Sequence, residues 1–270
     1  MNDNSNYEGQ ILYIRHGNTD YNILFENKED KSILFNEKYQ DTCLNEKGRN
    51  QSLELSKILT DFNIKYVFCS PLLRAIQTIQ IALEDHKNRK TMRFYLHPLL
   101  NETLSGTCDF SKNMEIKKKS VNEYCTNEDC LKYLDEFCKE NNISDEIFYL
   151  KFLDSDLIDQ EVCKDLIYKI TSNKQEGMIG NLVKELTDTK TCNKPENYNG
   201  TFRRVKEFKE FLKKFLENNK LEKNEVVCVI SHSAFIRLSR SKEAYDIPDL
   251  RAYPKDAKKL DNCGIINLSI

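Results

Sequence analysis

The sequence predicts an α/β fold, a three-layer α/β/α sandwich with a mostly parallel central sheet and a helical insertion. Two stretches, residues 10–100 and 205–270, alternate short apolar runs with amphipathic segments. Alternation of strand and helix is typical of a parallel sheet that helices cover on both faces. The chain has 270 residues, 39% of them hydrophobic, enough to bury one large core or two smaller ones.

The first strand and the first long helix follow from two different patterns. Residues 11–14 form a continuous apolar run, as expected of a strand buried on both faces. Asn45 can cap a helix, and apolar residues then recur at the spacing of one helical face. These apolar residues are Leu55, Ile58, Leu59 and Phe62.

A second strand and helix follow at residues 66–69 and immediately after them. Ser70 and Pro71 form an N-cap and first-turn pair for the helix. Its apolar face is predicted to hold Leu72, Ile76, Ile79 and Leu83. Residues 93–96 are predicted to form a short third strand.

The late part of the chain repeats this order. A helix is predicted from the spacing of Val205, Phe208, Leu212 and Phe215. Strands are predicted at residues 225–230 and 265–270.

The middle segment, about residues 111–200, differs from both halves. It is highly charged, holds five of the ten cysteines and lacks strand alternation. Two groups of apolar residues predict helices there: Leu131, Leu134 and Cys138, and Val162, Leu166 and Ile170. We interpret the segment as a mainly helical insertion that forms a lid. Its run of three lysines, residues 117–119, is interpreted as a solvated turn.

Composition excludes several classes of protein. Forty-one basic and 43 acidic residues give a net charge of −2, which argues against a broadly basic protein that binds nucleic acid or a membrane surface. A charged fraction of 31% with 10% aromatic residues argues against overall disorder. No apolar run approaches the ~18 residues that a membrane span needs, and the first six residues do not resemble a secretory signal. We therefore expect a cytoplasmic protein.

The ten cysteines do not predict a disulfide framework. The chain is far longer than the small secreted domains that depend on disulfides, and it contains no Cys-x-x-Cys pair. Reduced thiols are the expected state, and a structural zinc site is not expected.

Five chemically useful side chains stand at the carboxyl ends of predicted strands, where parallel sheets bind ligands. Arg15 and His16 end the first strand, and Arg74 lies in the helix after the second. Glu102 follows the third strand, and His232 follows the strand at 225–230. Two guanidiniums match phosphate oxygens, a neutral imidazole can attack phosphorus, and a carboxylic acid can protonate a departing alkoxide.

Each of these residues also has an ordinary structural explanation. A histidine at a strand end is more often a hydrogen-bonded structural residue than a catalytic one. An arginine in the first turn of a helix opposes the helix dipole, so either a bound anion or an Asp or Glu partner would account for Arg74. A lone glutamate in a loop is usually solvated. Their common location at one sheet edge favours the functional interpretation.

Four short motifs follow one another along the chain. They are Arg15-His16-Gly17 with Thr19 and Asn22, the stretch from Ser70 to Thr78, Leu100-Asn101-Glu102, and Ser231-His232-Ser233. Their order and spacing resemble those of the histidine phosphatase superfamily, which includes the cofactor-dependent phosphoglycerate mutases. Asp41, Leu44 and Gly48 match a further stretch of that pattern. Because the motifs lie at both ends of the chain, we expect one domain over residues 1–270, with the insertion at about 111–200.

The resemblance implies a role for each matching residue. His16 would be the nucleophile that becomes phosphohistidine, and Glu102 the proton donor and then the base for water. Arg15, Arg74 and His232 would hold the phosphoryl oxygens, with Asn22 and Ser233 as further substrate-binding residues. No metal is expected because the arginines and histidine supply the positive charge. The remaining histidines, His86 and His97, match no motif and are interpreted as structural.

Departures from the mutase pattern favour a phosphatase. Mutases usually follow the glutamate with Arg and then Tyr-Gly, whereas here Thr103 to Gly106 follow Glu102. No arginine occurs in residues 94–202 to supply the later mutase doublet. Asn18 and Thr19 stand where mutases usually have Glu-Ser, and Tyr21 where they have Trp.

The expected activity is hydrolysis of a small-molecule phosphate monoester. The alternative is a mutase primed by 2,3-bisphosphoglycerate, which would be its only cofactor. A catalytically silent phosphate- or partner-binding protein is a third possibility, disfavoured because His16 and Glu102 are both present. A homodimer is the expected assembly if the chain is oligomeric, and no nucleic-acid or membrane partner is expected.

Overall fold

The computed structural model describes residues 10–26, 35–110 and 196–268. Its strands are β1 (Ile11–Arg15), β2 (Asn63–Cys69), β3 (Arg93–Leu96), β4 (Glu225–Ser231) and β5 (Ile265–Asn267). Its helices are α1 (Asp20–Glu26), α2 (Glu46–Leu59), α3 (Leu73–Leu83), α4 (Tyr198–Asn218) and α5 (Ser233–Arg240). None of the described helices is long and apolar enough to cross a membrane.

The strands form one sheet in the order β3-β2-β4-β1-β5. The first four strands pair in parallel, and only β5 runs antiparallel, against β1. Because β1, β2 and β4 are neighbours, the loops that follow these strands leave the same edge of the sheet. This placement is what brings distant parts of the sequence into one site.

The core has two halves, one on each face of the sheet. Along β1, Leu12 and Ile14 pack with residues of α2 and α3 on one face. The alternating residues Ile11 and Tyr13 pack with α4 and α5 on the other. The predicted three-layer α/β/α arrangement with a mostly parallel sheet is confirmed.

Two local predictions were wrong in detail. Ile58 is 52% exposed, because the buried face of α2 runs through Gly48, Ser52, Leu55 and Leu59 instead. Gly48 lies against the backbone of Gly17 and Asn18, and Ile58 falls outside the buried face that Gly48 belongs to.

The predicted capping of α3 by Ser70 was also wrong. The helix begins at Leu73, whose backbone N–H donates to the Asp41 carboxylate at 2.8 Å. Asp41 is buried and has a positive φ of 47°. The Ser70 hydroxyl accepts instead from the Leu72 N–H, just before the helix, at 3.3 Å. It also has contacts with other parts of the chain, described below.

The predicted insertion falls almost wholly on residues 111–195, outside the described part of the chain. Residues 196–200, assigned to it from the sequence, belong to the main fold, since α4 already begins at Tyr198. The Asn197 side chain caps this helix by accepting from the Gly200 N–H at 2.9 Å.

Candidate active site

The loops after β1, β2 and β4 meet because their backbones are hydrogen-bonded to one another. Arg15 is the register partner of Ser231. The His16 N–H donates to the Ser231 carbonyl at 3.1 Å, and the Ser70 N–H donates to the Ile230 carbonyl at 2.9 Å. The strand ends therefore deliver their side chains to one place.

A cavity of about 290 Å³ opens at this edge. Six of the predicted site residues line it: Arg15, His16, Asn22, Arg74, Glu102 and Ser233. The seventh, His232, is fully buried just beneath, with its ring centroid 5.0 Å from that of His16. The structure thus brings together every site residue predicted from the sequence.

His16 is held as a neutral imidazole with a defined tautomer. Its Nδ1 lies 2.7 Å from the Gly17 carbonyl oxygen, and since a carbonyl only accepts, Nδ1 carries the proton. Burial, together with the charges of Arg74 and Arg15, holds the pKa of His16 well below its usual value. The lone pair is therefore on Nε2, as an attacking nitrogen requires.

The two arginines are fixed by different parts of the fold. Arg15 donates from Nη1 to the Leu260 carbonyl at 2.9 Å, while its buried Nε has no hydrogen-bond partner among the described residues. Arg74 donates from Nη1 to the Cys108 carbonyl at 2.6 Å and from Nη2 to Asp109 at 3.1 Å. Both guanidiniums keep donors for an anion in the cavity.

The Glu102 carboxyl group contacts the first turn of α5. Its Oε1 accepts from the N–H groups of Thr103 at 2.9 Å and Ala234 at 3.1 Å. Burial, reinforced by the negative charge of Asp109, raises the pKa of Glu102, against the opposing effects of the Thr103 hydrogen bond and the two arginines. A raised pKa favours the protonated form that a general acid needs.

His232 is joined to the loop that carries Glu102. Its Nε2 lies 2.7 Å from the Ser70 hydroxyl, which donates to Asn101 Oδ1 at 3.0 Å. Because the hydroxyl proton is used there, Nε2 carries the imidazole proton. The buried Nδ1 has no hydrogen-bond partner among the described residues. Burial and the charge of Arg74 hold the pKa of His232 well below its usual value.

Asn22 and Ser233 occupy helix starts at the cavity wall. The Asn22 side-chain oxygen accepts from the Thr19 N–H, and the Thr19 hydroxyl accepts from the Asn22 N–H, both at 3.2 Å. The side-chain NH2 group of Asn22 can then donate a hydrogen bond to a ligand. Ser233 is the first residue of α5.

Sequence reasoning missed Asp109, which pairs with Arg74. Asp109 is buried, and its Oδ2 also accepts from the Ser105 N–H at 3.0 Å and from the Ser105 hydroxyl at 2.8 Å. The signal was Arg74 itself, since a cation in a helical first turn needs an acidic partner or an anion. The structure supplies the acidic partner.

A buried ion pair between Arg204 and Glu196, with nitrogen and oxygen 2.8 Å apart, was missed as well.

His86 and His97 lie elsewhere in the fold. His86 Nδ1 accepts from the Asn88 N–H at 3.1 Å and Nε2 lies 3.1 Å from the Leu59 carbonyl. His97 packs on Phe208 and Phe211. Over residues 10–26, 35–110 and 196–268, no cluster of three or more His, Cys, Asp or Glu could hold a metal ion.

Comparison with known proteins finds one family model and two curated relatives, each of which matches part of the chain. Residues 11–132 match the model of the histidine phosphatase superfamily (branch 1). The chain is 34% identical over 99 residues to fructose-2,6-bisphosphatase TIGAR B of Danio rerio. It is 37% identical over 81 residues to agropine synthesis reductase of Rhizobium rhizogenes.

The chain spans only part of these relatives. The alignments cover 37% and 27% of this chain, but 35% of the first relative and 17% of the second. Among solved structures, ecdysone phosphate phosphatase from Bombix mori in complex with tungstate matches with a TM-score of 0.48 and 15% identity, covering 94% of this chain and 86% of that chain.

Proposed function

The chain belongs to the histidine phosphatase superfamily, and we propose that it is a phosphomonoesterase that works through a phosphohistidine at His16. The observation that supports this most directly is the tautomer of His16. The Gly17 carbonyl holds the Nδ1 proton at 2.7 Å, so the Nε2 lone pair is available beside two guanidiniums.

The first chemical step would transfer the phosphoryl group to the protein. The Nε2 lone pair of His16 forms a bond to phosphorus while the bond from phosphorus to the ester oxygen breaks. Glu102 gives its proton to that oxygen, and an alcohol leaves. Arg15 and Arg74 bind the phosphoryl oxygens throughout, where their fixed geometry stabilises the developing charge without reorganisation.

The second step would release phosphate. Ionised Glu102 takes a proton from water as the water oxygen bonds to phosphorus, and the bond to Nε2 breaks. Inorganic phosphate leaves and neutral His16 is restored. The buried Nδ1 of His232 would gain a partner from the phosphoryl group by taking up a proton, which a nearby dianion favours.

Hydrolysis is proposed over mutase activity because of what surrounds the carboxylate. Thr103 and Ser105 line the cavity next to Glu102, where the mutase pattern has Arg and then a Tyr-Gly pair. A mutase must shield its phosphoenzyme from water while the intermediate reorients, and these short side chains offer no charged grip on a substrate carboxylate.

The test compares products from one substrate under two conditions. We expect 3-phosphoglycerate, incubated with and without 2,3-bisphosphoglycerate, to yield free phosphate and no 2-phosphoglycerate. An aryl phosphate and fructose 2,6-bisphosphate, the latter suggested by the name of the Danio rerio relative, complete the substrate panel. With the primer at a small fraction of the substrate concentration, 2-phosphoglycerate formed in molar excess over the primer would establish the mutase instead. No turnover of any phosphate ester in the panel would refute both.

A further inference from the structure

The loop that carries Glu102 has no regular secondary structure to hold it. Residues 101–105 lie between two short 3-10 turns, Pro98–Leu100 and Thr107–Asp109. A general acid must nevertheless be held within hydrogen-bond reach of the oxygen that it protonates. The contacts that fix this loop therefore bear directly on the chemistry.

Arg204 of α4 fastens one side of the loop. Its Nη1 donates to the carbonyls of Leu99 at 2.8 Å and Asn101 at 2.7 Å, and its Nη2 donates to the carbonyl of Glu102 at 3.2 Å. Its Nε and Nη2 also donate to the two carboxylate oxygens of Glu196, each at 2.8 Å. All five N–H groups of the guanidinium are thereby used.

Glu196 fastens the other side of the same loop. While it neutralises Arg204, its Oε2 accepts from the Leu104 N–H at 3.1 Å. Thr201, one turn before Arg204, adds a contact of 2.6 Å between its hydroxyl and that of Thr103. Four consecutive residues, 101–104, are thus each held by α4 or by Glu196, two residues before it.

Neither Glu196 nor Arg204 is among the described residues that line the cavity. Their side chains are only 2% and 6% exposed, respectively. Two buried charged groups whose hydrogen bonds go to one loop fix the position of that loop. The loop in turn places the Glu102 side chain at the cavity wall.

We infer that Arg204 and Glu196 are positioning residues that set the Glu102 carboxyl for proton donation to the leaving group. This inference rests on the proposed phosphatase function. It predicts that loosening the pair hurts most those substrates whose leaving oxygen depends most on protonation. A role in stability alone would lower the rate equally for every leaving group.

The experiment measures kcat/KM for a series of aryl phosphates whose phenols range from acidic to basic. This constant covers the steps up to departure of the phenol, before the shared hydrolysis of phosphohistidine. The variants are Arg204→Lys, which keeps the charge but has three donors instead of five, and Glu196→Gln. The matched control is Arg203→Lys, the neighbouring residue, whose side chain is 41% exposed and pairs with Glu207 on the helix surface.

Both variants are expected to lose ~100-fold in kcat/KM for the most basic phenol, within the range that a general acid contributes. Their loss for p-nitrophenyl phosphate should stay within a few-fold, and Arg203→Lys should match the wild type throughout. If Arg204→Lys fails to fold, as judged by circular dichroism, Glu196→Gln decides the outcome, with Thr201→Val as a milder second variant.

A uniform loss across the series, or no loss, would overturn the inference while leaving the phosphatase intact. A wild-type protein that hydrolyses none of the series would refute the proposed function itself, and the positioning role with it.

Discussion

Gly48 is the point at which α2 touches the loop that carries His16, and replacing it with alanine should be costly. A Cβ added to Gly48 would lie 2.1 Å from the Asn18 carbonyl oxygen and 2.8 Å from the Asn18 nitrogen. Both atoms are backbone, so no side chain can turn aside. Asn45 reinforces this contact by donating from its N–H to the Asn18 carbonyl at 3.2 Å.

The magnitude follows from two opposing effects. The overlap exceeds an ångström relative to ordinary contact at 3.4 Å, which places the strain near the upper end of overpacking costs, about 3 kcal/mol. Alanine recovers about 1 kcal/mol through its better helix propensity. The net loss in the free energy of unfolding should be about 2 kcal/mol. A shift of the His16 loop by about 1 Å should also lower kcat by about 100-fold.

Urea denaturation and steady-state hydrolysis of an aryl phosphate measure the two effects. Asn50→Ala is the matched control, an exposed position two residues further along the same helix. It should be as stable as the wild type or slightly more so, with unchanged kcat. A Gly48→Ala protein that gains stability and keeps its activity would refute the close packing of α2 against the catalytic loop.

Three further predictions concern ionisation and anion binding. Because burial lowers the pKa of His16 and raises that of Glu102, kcat/KM should fall on the acid side as His16 protonates and on the alkaline side as Glu102 ionises. Asp109→Asn removes a negative charge beside Glu102, so its alkaline limb should move to lower pH; an unmoved limb would contradict this. Burial lowers the pKa of His97 to about 3. Between pH 6.5 and 3, therefore, only the unfolded chain binds a proton at this residue, and the free energy of unfolding decreases as the pH is lowered. His97→Leu should reduce the dependence of the unfolding free energy on pH by up to ~1.4 kcal/mol per pH unit. Urea denaturation between pH 7 and 4 measures this dependence, and equal values for the wild type and the variant would contradict the lowered pKa of His97. Inorganic phosphate should raise the Tm of the wild type and much less that of Arg15→Gln; equal shifts would show that Arg15 does not bind the anion.

Secondary structure could be predicted from the sequence where a residue pattern is typical of one element type. The continuous apolar run at residues 11–14 is typical of a strand buried on both faces, and the structure places all four of its residues in the core. Helical faces are less certain, because i+3 and i+4 spacing leaves a choice of face. Ile58 was assigned to the wrong side since small residues, Gly48 and Ser52, form the buried stripe.

The residues of the site were readable because they end strands, and parallel strands converge at one edge. Their supporting contacts were not, because the partners lie far away in sequence. Arg204 donates to the carbonyls of residues 99, 101 and 102, and Asp41 caps a helix that begins at Leu73. A local rule assigned Ser70 to that cap, whereas tertiary packing gives its hydroxyl to His232.

The most direct test of the account is to locate the phosphoryl group on the protein during turnover. Wild-type protein mixed with an aryl phosphate is quenched in alkali within the first turnovers, digested and analysed by mass spectrometry. We predict one phosphorylated histidine, His16, and neither phosphoprotein nor turnover in His16→Ala, which should retain the circular dichroism of the wild type. A phosphoryl group on another residue, or hydrolysis by His16→Ala at the wild-type rate, would contradict the assignment of His16 as the nucleophile.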